Sequence, residues 1–152
     1  MIAYPPIDGA PADGDVGLSC GEHTDYGCLT LVNQDPVCGS LQVQAADGSW
    51  TDADPVDGCF VVNIGDMMSL MTRGLYQSTP HRVLHSHPTT TRLSVPFFFE
   101  PNFDAVMRDL QLPGGGSARS AAAMHDTAHN TEGAATTYGQ HLVRKLGSNF
   151  KE

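Results

Sequence analysis

Short runs of apolar and β-branched residues, separated by turn-forming residues, recur through the first hundred residues of the chain. Each run has the length of a strand, and its valine, threonine and phenylalanine residues favour a strand over a helix. The runs occupy residues 28–32, 39–44, 59–63, 81–84 and 93–99. Many short strands at regular spacing are typical of β-sandwiches and jelly rolls, so the sequence predicts an all-β core.

The clearest turn is Asp47-Gly48, which follows the alternating apolar and polar residues 39–44. This dipeptide favours a tight β-turn, because glycine adopts positive φ without a steric penalty. We therefore predict a hairpin in which residues 49–51 return beside residues 39–44.

The chain changes character after Pro101. We predict a short helix over residues 104–110 and a loop over residues 114–135, which are rich in glycine, alanine, serine and threonine. Thr136 or Thr137 is placed to cap a final helix. In that helix three residues recur at helical spacing, namely Tyr138, Leu142 and Leu146.

Size and composition indicate one domain, because 152 residues of which 40% are hydrophobic can bury a core. We expect residues 1–101 to form the β core and residues 102–152 to pack on the same domain. Eight basic and 17 acidic residues give a formal net charge of −9, and no Lys/Arg cluster marks a nucleic-acid binder. No apolar stretch reaches the roughly 18 residues of a membrane span. The first six residues lack the features of a signal peptide, so we expect a cytoplasmic protein.

None of the four cysteines belongs to a C-x-x-C pair. We interpret them as reduced, buried apolar side chains, with a cysteine zinc site as the less favoured alternative. They are Cys20, Cys28, Cys38 and Cys59.

The strongest chemical signal is the pair His23-x-Asp25. On a strand, or at the end of one, these two side chains point to the same face, because the strand period is two. His81 begins another predicted strand and is the natural third ligand of a metal. Two histidines and one carboxylate on one side of a metal suit Fe(II) and leave the opposite side open. A lone H-x-D is also common as a surface pair without any function.

Arg92-x-Ser94 lies on a predicted strand that continues into apolar residues. Burying a guanidinium is costly unless an anion meets it, and a carboxylate fits its planar fork. The anion is either a bound ligand or an internal Asp or Glu.

These stretches together resemble the Fe(II)/2-oxoglutarate-dependent dioxygenases, in the branch similar to isopenicillin N synthase. The resemblance covers nearly the whole chain in order. Its principal elements are Tyr4-Pro5-Pro6, residues 21–25, 29–35, 39–43, 47–50, 60–66, 78–83, 92–94 and 97–101, and Tyr138-Gly139.

The resemblance implies a double-stranded β-helix, or jelly roll, with a short C-terminal helical segment. It implies iron ligands at three positions, namely His23, Asp25 and His81. Arg92 and Ser94 would hold the distal carboxylate of 2-oxoglutarate, and Tyr4 would hydrogen-bond its other end. Asn63 and Asp66 would support the fold.

The implied reaction oxidises a C–H bond of a small molecule with dioxygen and releases succinate and carbon dioxide. Three alternatives stay open: an Fe(II) oxidase of the same branch that does not use 2-oxoglutarate, a truncated or non-catalytic remnant, and a zinc or manganese enzyme of the cupin kind. The spacing of Arg92-x-Ser94 after His81 disfavours the last. Family members usually extend further at the N-terminus, so we expect this chain to correspond to their C-terminal catalytic core.

Four other histidines are weaker candidates. His85 and His87 share the strand parity of His81, but they precede Pro88 and a threonine run, which favours a solvated strand end. His125 and His129 are four residues apart without the glutamate of H-E-x-x-H, so no metal role is expected.

Overall fold

The structure is a computed structural model that describes residues 1–6, 17–84, 89–110 and 136–149. The loop expected at residues 114–135 lies outside these ranges. The elements within them are β1 (Ile2–Tyr4), β2 (Leu18–His23), β3 (Leu29–Gln34), β4 (Leu41–Gln44), β5 (Trp50–Asp52), β6 (Val61–Ile64), α1 (Asp66–Met71), β7 (His81–Leu84), β8 (Arg92–Phe99) and α2 (Tyr138–Asn149). All five predicted runs are strands. The sequence did not predict β1, the bounds of β2, or α1.

The chain forms two compact units. The first, called the sheet unit, comprises Met1–Thr24, Thr30–Asn63 and Thr79–Phe98. The second, called the helix unit, comprises Asp25–Leu29, Ile64–Ser78 and Phe99–Glu152.

Two four-stranded sheets build the sheet unit. One has the strand order β1-β8-β3-β6 and the other the order β2-β7-β4-β5. Strand β1 runs antiparallel to β8, and β7 runs antiparallel to both β2 and β4. Sequence neighbours therefore mostly sit in different sheets, as they do when one chain winds back and forth between the layers of a jelly roll.

The predicted hairpin is confirmed as β4 and β5, with Gln44 opposite Trp50. Gly48 has φ +85, a conformation that other residues rarely adopt, and this explains the Asp47-Gly48 turn. The guanidinium of Arg82 stacks 4.1 Å from the centre of the Trp50 ring and donates two hydrogen bonds to Gln42. These side-chain contacts join β7, the strand that begins with His81, to the hairpin of β4 and β5.

Strand β8 buries polar side chains near its start and exposes apolar ones towards its end. Arg92 and Ser94 are both 4% exposed and lie on one face. The other face presents Val95, Phe97 and Phe99, which are exposed to 46%, 61% and 56%. Polar side chains are therefore buried on this strand while apolar ones meet solvent, the reverse of the usual alternation of a half-buried strand.

The helix unit corrects one prediction. Residues 104–110 form no helix, because Val106 pairs with Thr137 as an antiparallel bridge. The amide of Met107 donates to Thr136, and the amide of Tyr138 donates to Ala105. Bonds to a distant segment thus replace the local bonds that a helix would need.

The predicted cap of the final helix is confirmed at Thr137. Its hydroxyl accepts a hydrogen bond from the amide of Gln140, and the Gln140 side chain accepts one from the amide of Thr137. This reciprocal pair is a capping box. Within α2, Tyr138 is 3% exposed and anchors the helix, whereas Leu146 is 39% exposed.

The prediction that the cysteines are buried is wrong: Cys20 and Cys28 are half-buried, and Cys38 and Cys59 are exposed. Cys38 lies in the turn before β4 and Cys59 follows the turn before β6, where side chains face solvent. Among the described residues, no helix has the length and apolar composition needed to cross a bilayer.

Candidate metal centre

The two predicted histidine ligands face each other across the pair of strands β2 and β7. His23 and His81 are direct cross-strand partners, and their ring centroids are 4.3 Å apart with the planes tilted by 54°. Both rings are half-buried. The pairing of β2 with β7 thus brings together two side chains that are 58 positions apart in sequence (81 − 23).

Local hydrogen bonds fix the tautomer of each ring. Nδ1 of His23 lies 2.8 Å from the carbonyl oxygen of Gly21, and Nδ1 of His81 lies 3.1 Å from that of Thr79. A carbonyl only accepts, so each Nδ1 carries a proton, and Nε2 is the ring nitrogen that remains to ligate a metal. This arrangement is the usual preparation of histidine for metal binding.

Asp25 completes the group just beyond the end of β2. It is 8% exposed, and its carboxylate, His23 and His81 offer ligand atoms that all lie within 4.8 Å of one another. One ion can reach the three groups with small side-chain adjustments. The structure therefore brings together the three predicted side chains, although Asp25 belongs to a loop and not to the strand itself.

The loop that carries Asp25 is held by the start of α1. The carbonyls of Asp25, Gly27 and Cys28 accept hydrogen bonds of 2.7, 3.0 and 3.0 Å. Their donors are the amides of Asp66, Met67 and Gly65, respectively.

A Cβ on Gly65 would collide with the carbonyl of Gly27, so only glycine permits this close approach. The sequence interpretation assigned Asp66 to support of the fold, which agrees with its position. The sequence interpretation did not detect the role of Gly65. The signal that could have shown it is a glycine directly before a helix.

Arg92 is buried with two of its three guanidinium nitrogens unsatisfied. Nη2 donates to Gln34 at 2.8 Å, whereas Nε and Nη1 have no hydrogen-bond partner among the described residues. Burial lowers the pKa of Arg92, and the nearby Tyr4 and Asp35 act in the opposite direction by raising it. Its guanidinium carbon lies 5.2 Å from the centre of the Tyr4 ring.

Within the described ranges, no internal carboxylate accepts a hydrogen bond from Arg92. Asp35 is close enough to act electrostatically, but its Oδ2 accepts from the amide of Leu93. Two buried, unused donors in a fixed fork match a carboxylate that is supplied from outside the described chain.

Ser94 and Tyr4 lie on the same side of the sheet as Arg92. Tyr4 is paired with Arg92 and Ile2 with Ser94 across β1 and β8, and residues two apart on a strand share a face. Tyr4 therefore lies beside Arg92, at the guanidinium end of the site. Its predicted bond to the other end of the co-substrate stays a prediction.

The remaining histidines divide into two groups. His85, His87, His125 and His129 lie outside the described residues. His141 in α2 is 3% exposed and its pKa is lowered, mainly by burial. The sequence interpretation did not single out His141, since a lone histidine on a helix gives no signal of its own.

Comparison with known proteins gives a consistent result. Residues 1–101 match the sequence profile of the 2OG-Fe(II) oxygenase superfamily. The chain is 41% identical over 155 aligned residues to a homoarginine-6-hydroxylase of Arabidopsis thaliana, covering 99% of the chain and 43% of that protein. It is 36% identical over 138 residues to a 1-aminocyclopropane-1-carboxylate oxidase of Dictyostelium mucoroides, covering 87% of the chain and 36% of that protein.

A solved structure shows the same architecture. A full-length protein of Neurospora crassa, crystallised in complex with alpha-KG and 5-formyluracil, superimposes with a TM-score of 0.72 at 29% identity. The match covers 96% of this chain and 45% of that chain. Together with the two antiparallel sheets, this likeness confirms the predicted jelly roll. The chain spans less than half the length of these relatives.

Proposed function

Since the chain belongs to the 2OG-Fe(II) oxygenase superfamily, we propose that it is the catalytic core of an Fe(II)- and 2-oxoglutarate-dependent oxygenase. The observation that carries the proposal is the convergence of His23, Asp25 and His81, with Nδ1 of each imidazole hydrogen-bonded to a backbone carbonyl. Superfamily members use Fe(II), 2-oxoglutarate and dioxygen. The division at residue 101 also stays a proposal, and it is supported by the profile match to residues 1–101.

The donor set fits Fe(II) in particular. Two neutral imidazoles and one carboxylate form a borderline N/O set with one negative charge, and three protein ligands leave positions free for other ligands. A structural zinc site would instead be closed by four protein ligands. In this proposal the chain's part is to hold three donors on one side of the ion.

Arg92 supports the assignment of a dicarboxylate co-substrate. Its free Nε and Nη1 lie on different edges of the guanidinium, and Nη2, which bonds Gln34 through one of its two hydrogens, can complete an edge that binds the two oxygens of a carboxylate at once. Ser94 adds a buried hydroxyl two residues away on the same face, and Tyr4 packs beside the guanidinium. We propose that Arg92 and Ser94 bind the distal carboxylate of 2-oxoglutarate, and that Tyr4 hydrogen-bonds its other end.

An iron held by His23, Asp25 and His81 would supply the activation of dioxygen that couples decarboxylation of 2-oxoglutarate to succinate with oxidation of a C–H bond. The residues of the chain orient the co-substrate and exclude water from its anchoring carboxylate. Arg92 fixes the co-substrate at its far end, so that the keto acid end can reach the metal. Burial of Arg92 and Ser94 keeps water from the anchoring carboxylate, which strengthens the ion pair.

A small amino acid is the substrate class that we propose. The relative at 41% identity is named a homoarginine-6-hydroxylase, and three further relatives of 39–40% identity carry the same name. Homoarginine is therefore the first substrate to assay. A cytoplasmic location belongs to the same proposal. The net charge of −9, without a Lys/Arg cluster, supports a small molecule rather than a nucleic acid as partner.

An oxidase that does not use 2-oxoglutarate is the second candidate. The relative named 1-aminocyclopropane-1-carboxylate oxidase favours it. In that case Arg92 and Ser94 would bind a carboxylate of the substrate itself.

The test is an anaerobic Fe(II) titration of the purified chain with and without 2-oxoglutarate, followed by the visible metal-to-ligand absorption band. We expect the band in the unaltered protein, its loss in His81→Ala and its weakening in Arg92→Ala. Iron binding without the band supports the oxidase. Folded protein that binds no iron contradicts both candidates and indicates a non-catalytic remnant.

A further inference from the structure

Three carbonyls of the loop that carries Asp25 accept hydrogen bonds from backbone amides within the helix unit. Amides at the start of α1 satisfy the carbonyls of Asp25, Gly27 and Cys28. The amide of Cys28 donates to the carbonyl of Phe99 at 3.2 Å. Tyr26 is the one residue of this loop whose carbonyl none of these backbone donors reaches.

A side chain from α2 fills that gap. His141 hydrogen-bonds the backbone of Tyr26, and this contact raises the histidine pKa against the larger effect of burial. An acceptor stabilises the protonated ring, so the acceptor is the Tyr26 carbonyl. Nε2 of His141 has no hydrogen-bond partner among the described residues, which leaves Nδ1 as the donor.

The same helix also holds the start of α1. Nζ of Lys145 lies 2.7 Å from Oδ2 of Asp66, which is 8% exposed. The amide of Asp66 in turn donates to the carbonyl of Asp25. Residues 141 and 145 are one helical turn apart, so one face of α2 reaches the loop directly and also through α1.

We propose that His141 is a positioning residue for the carboxylate of Asp25. This inference rests on the proposed function, because it concerns the ligand geometry of the proposed metal site. His141 touches neither the metal nor a substrate. It fixes the peptide between Tyr26 and Gly27, which begins one residue after Asp25, and thereby limits the directions in which the carboxylate can point.

The three other carbonyl bonds come from backbone amides, which most substitutions leave in place. His141 is different, because its donor belongs to a side chain and is lost on substitution. Partners that orient a ligand typically change metal affinity about 10- to 100-fold when they are removed. The effect should therefore appear in metal affinity even where the fold persists.

The experiment compares Co(II) affinity, measured by absorption titration, in four proteins: the unaltered chain, His141→Leu, His141→Asn and Thr72→Val. Leucine removes the donor at similar volume. Asparagine keeps an N–H close to the position of Nδ1. Thr72→Val is the matched control, because it removes a buried hydroxyl that bonds Met68 within the same unit but makes no bond to the loop.

We expect His141→Leu to bind Co(II) about 10- to 100-fold more weakly and His141→Asn to stay within about threefold of the unaltered chain. Thr72→Val should lower the melting temperature and leave the affinity unchanged. Hydrogen exchange at the amides of Gly65, Asp66 and Met67 should speed up in His141→Leu alone. That readout needs no metal.

Folded His141→Leu with unchanged affinity overturns the inference and leaves the metal site in place. Equal losses in His141→Leu and Thr72→Val also overturn it, since they would reflect stability alone. An unaltered chain that binds no Co(II) refutes the proposed function instead. If His141→Leu does not fold, His141→Gln replaces it, because the glutamine amide matches the position of Nε2 and not of Nδ1.

Discussion

The three proposed ligands are held in two different ways. His23 and His81 lie opposite each other on paired strands, and each ring donates to the carbonyl two residues before its own. Their orientation is therefore determined locally. Asp25 lies in a loop whose carbonyls are bound by residues about 40 and 115 positions further along the chain, in α1 and α2.

This difference shows that the ligands of one metal site can be held in place by different parts of the fold. The histidines need only that the strands pair. The carboxylate needs the helix unit to be folded around its loop. Damage to each region should therefore produce a different defect, and four measurements sharpen or break this distinction.

The largest effect should follow from His81→Ala, which removes a ligand from the strand-held pair. We expect metal affinity to fall by on the order of 100-fold or more, since loss of an outer partner alone costs 10- to 100-fold. The strand should persist, because its backbone pairing does not depend on the ring. Co(II) titration with far-UV circular dichroism measures both. The control is Arg82→Ala, a substitution of the neighbouring residue, which should leave metal affinity unchanged.

Arg92→Met should separate co-substrate binding from metal binding. Removing a fully buried partner of a charge typically costs about 2–5 kcal/mol of binding, so the rise in melting temperature on adding 2-oxoglutarate should disappear. Without co-substrate the variant should be as stable as the unaltered chain or more so, because an unsatisfied buried guanidinium has been removed. Loss of metal affinity in this variant would contradict the independence of the two sites.

Gly65→Ala tests the loop-held ligand. The added Cβ collides with the carbonyl of Gly27, and overpacking of this kind costs about 1–3 kcal/mol. We expect lower stability to urea together with weaker metal binding. Gly21→Ala is the matched control in β2, where an added Cβ meets nothing within 4 Å. If both variants lower metal affinity equally, the distinction between strand-held and loop-held ligands fails.

The smallest effect concerns pH. Burial lowers the pKa of His141 below 6.5, with Asp66 opposing the shift and Lys145 and Arg144 adding to it. The unfolded chain therefore takes up the proton first, and stability falls as pH drops below about 6.5. One such group changes stability by at most about 1.4 kcal/mol per pH unit. Urea unfolding between about pH 7.5 and pH 5.5 should show a shallower loss in His141→Asn than in the unaltered chain.

The strands were predictable because their signal is local. Residues 39–44 alternate in polarity and are followed by Asp47-Gly48, so the alternation and the turn residues both predict a hairpin. Residues 104–110 were mispredicted as a helix, because their bridge to Thr137 is a long-range contact that no local pattern encodes.

The site shows the same division. His23-x-Asp25, His81 and Arg92-x-Ser94 were identified through residue type, spacing and family resemblance. Gly65 and His141 were not, since each acts through a backbone contact that exists only after folding. Sequence reasoning thus finds groups that carry chemistry more readily than groups that position them.

The inverted polarity of β8 has a consequence for aggregation. Residues 93–99 combine high β-propensity with no charged side chain, a composition typical of segments that stack into cross-β fibrils. In the folded sheet β8 lies between β1 and β3, so the hazard arises when unfolding releases the strand. Pro96, in the middle of that segment, has no amide hydrogen and cannot complete a continuous ladder with another copy. Pro96 thus serves as a gatekeeper, which allows the strand to carry exposed phenylalanines while resisting the growth of a fibril.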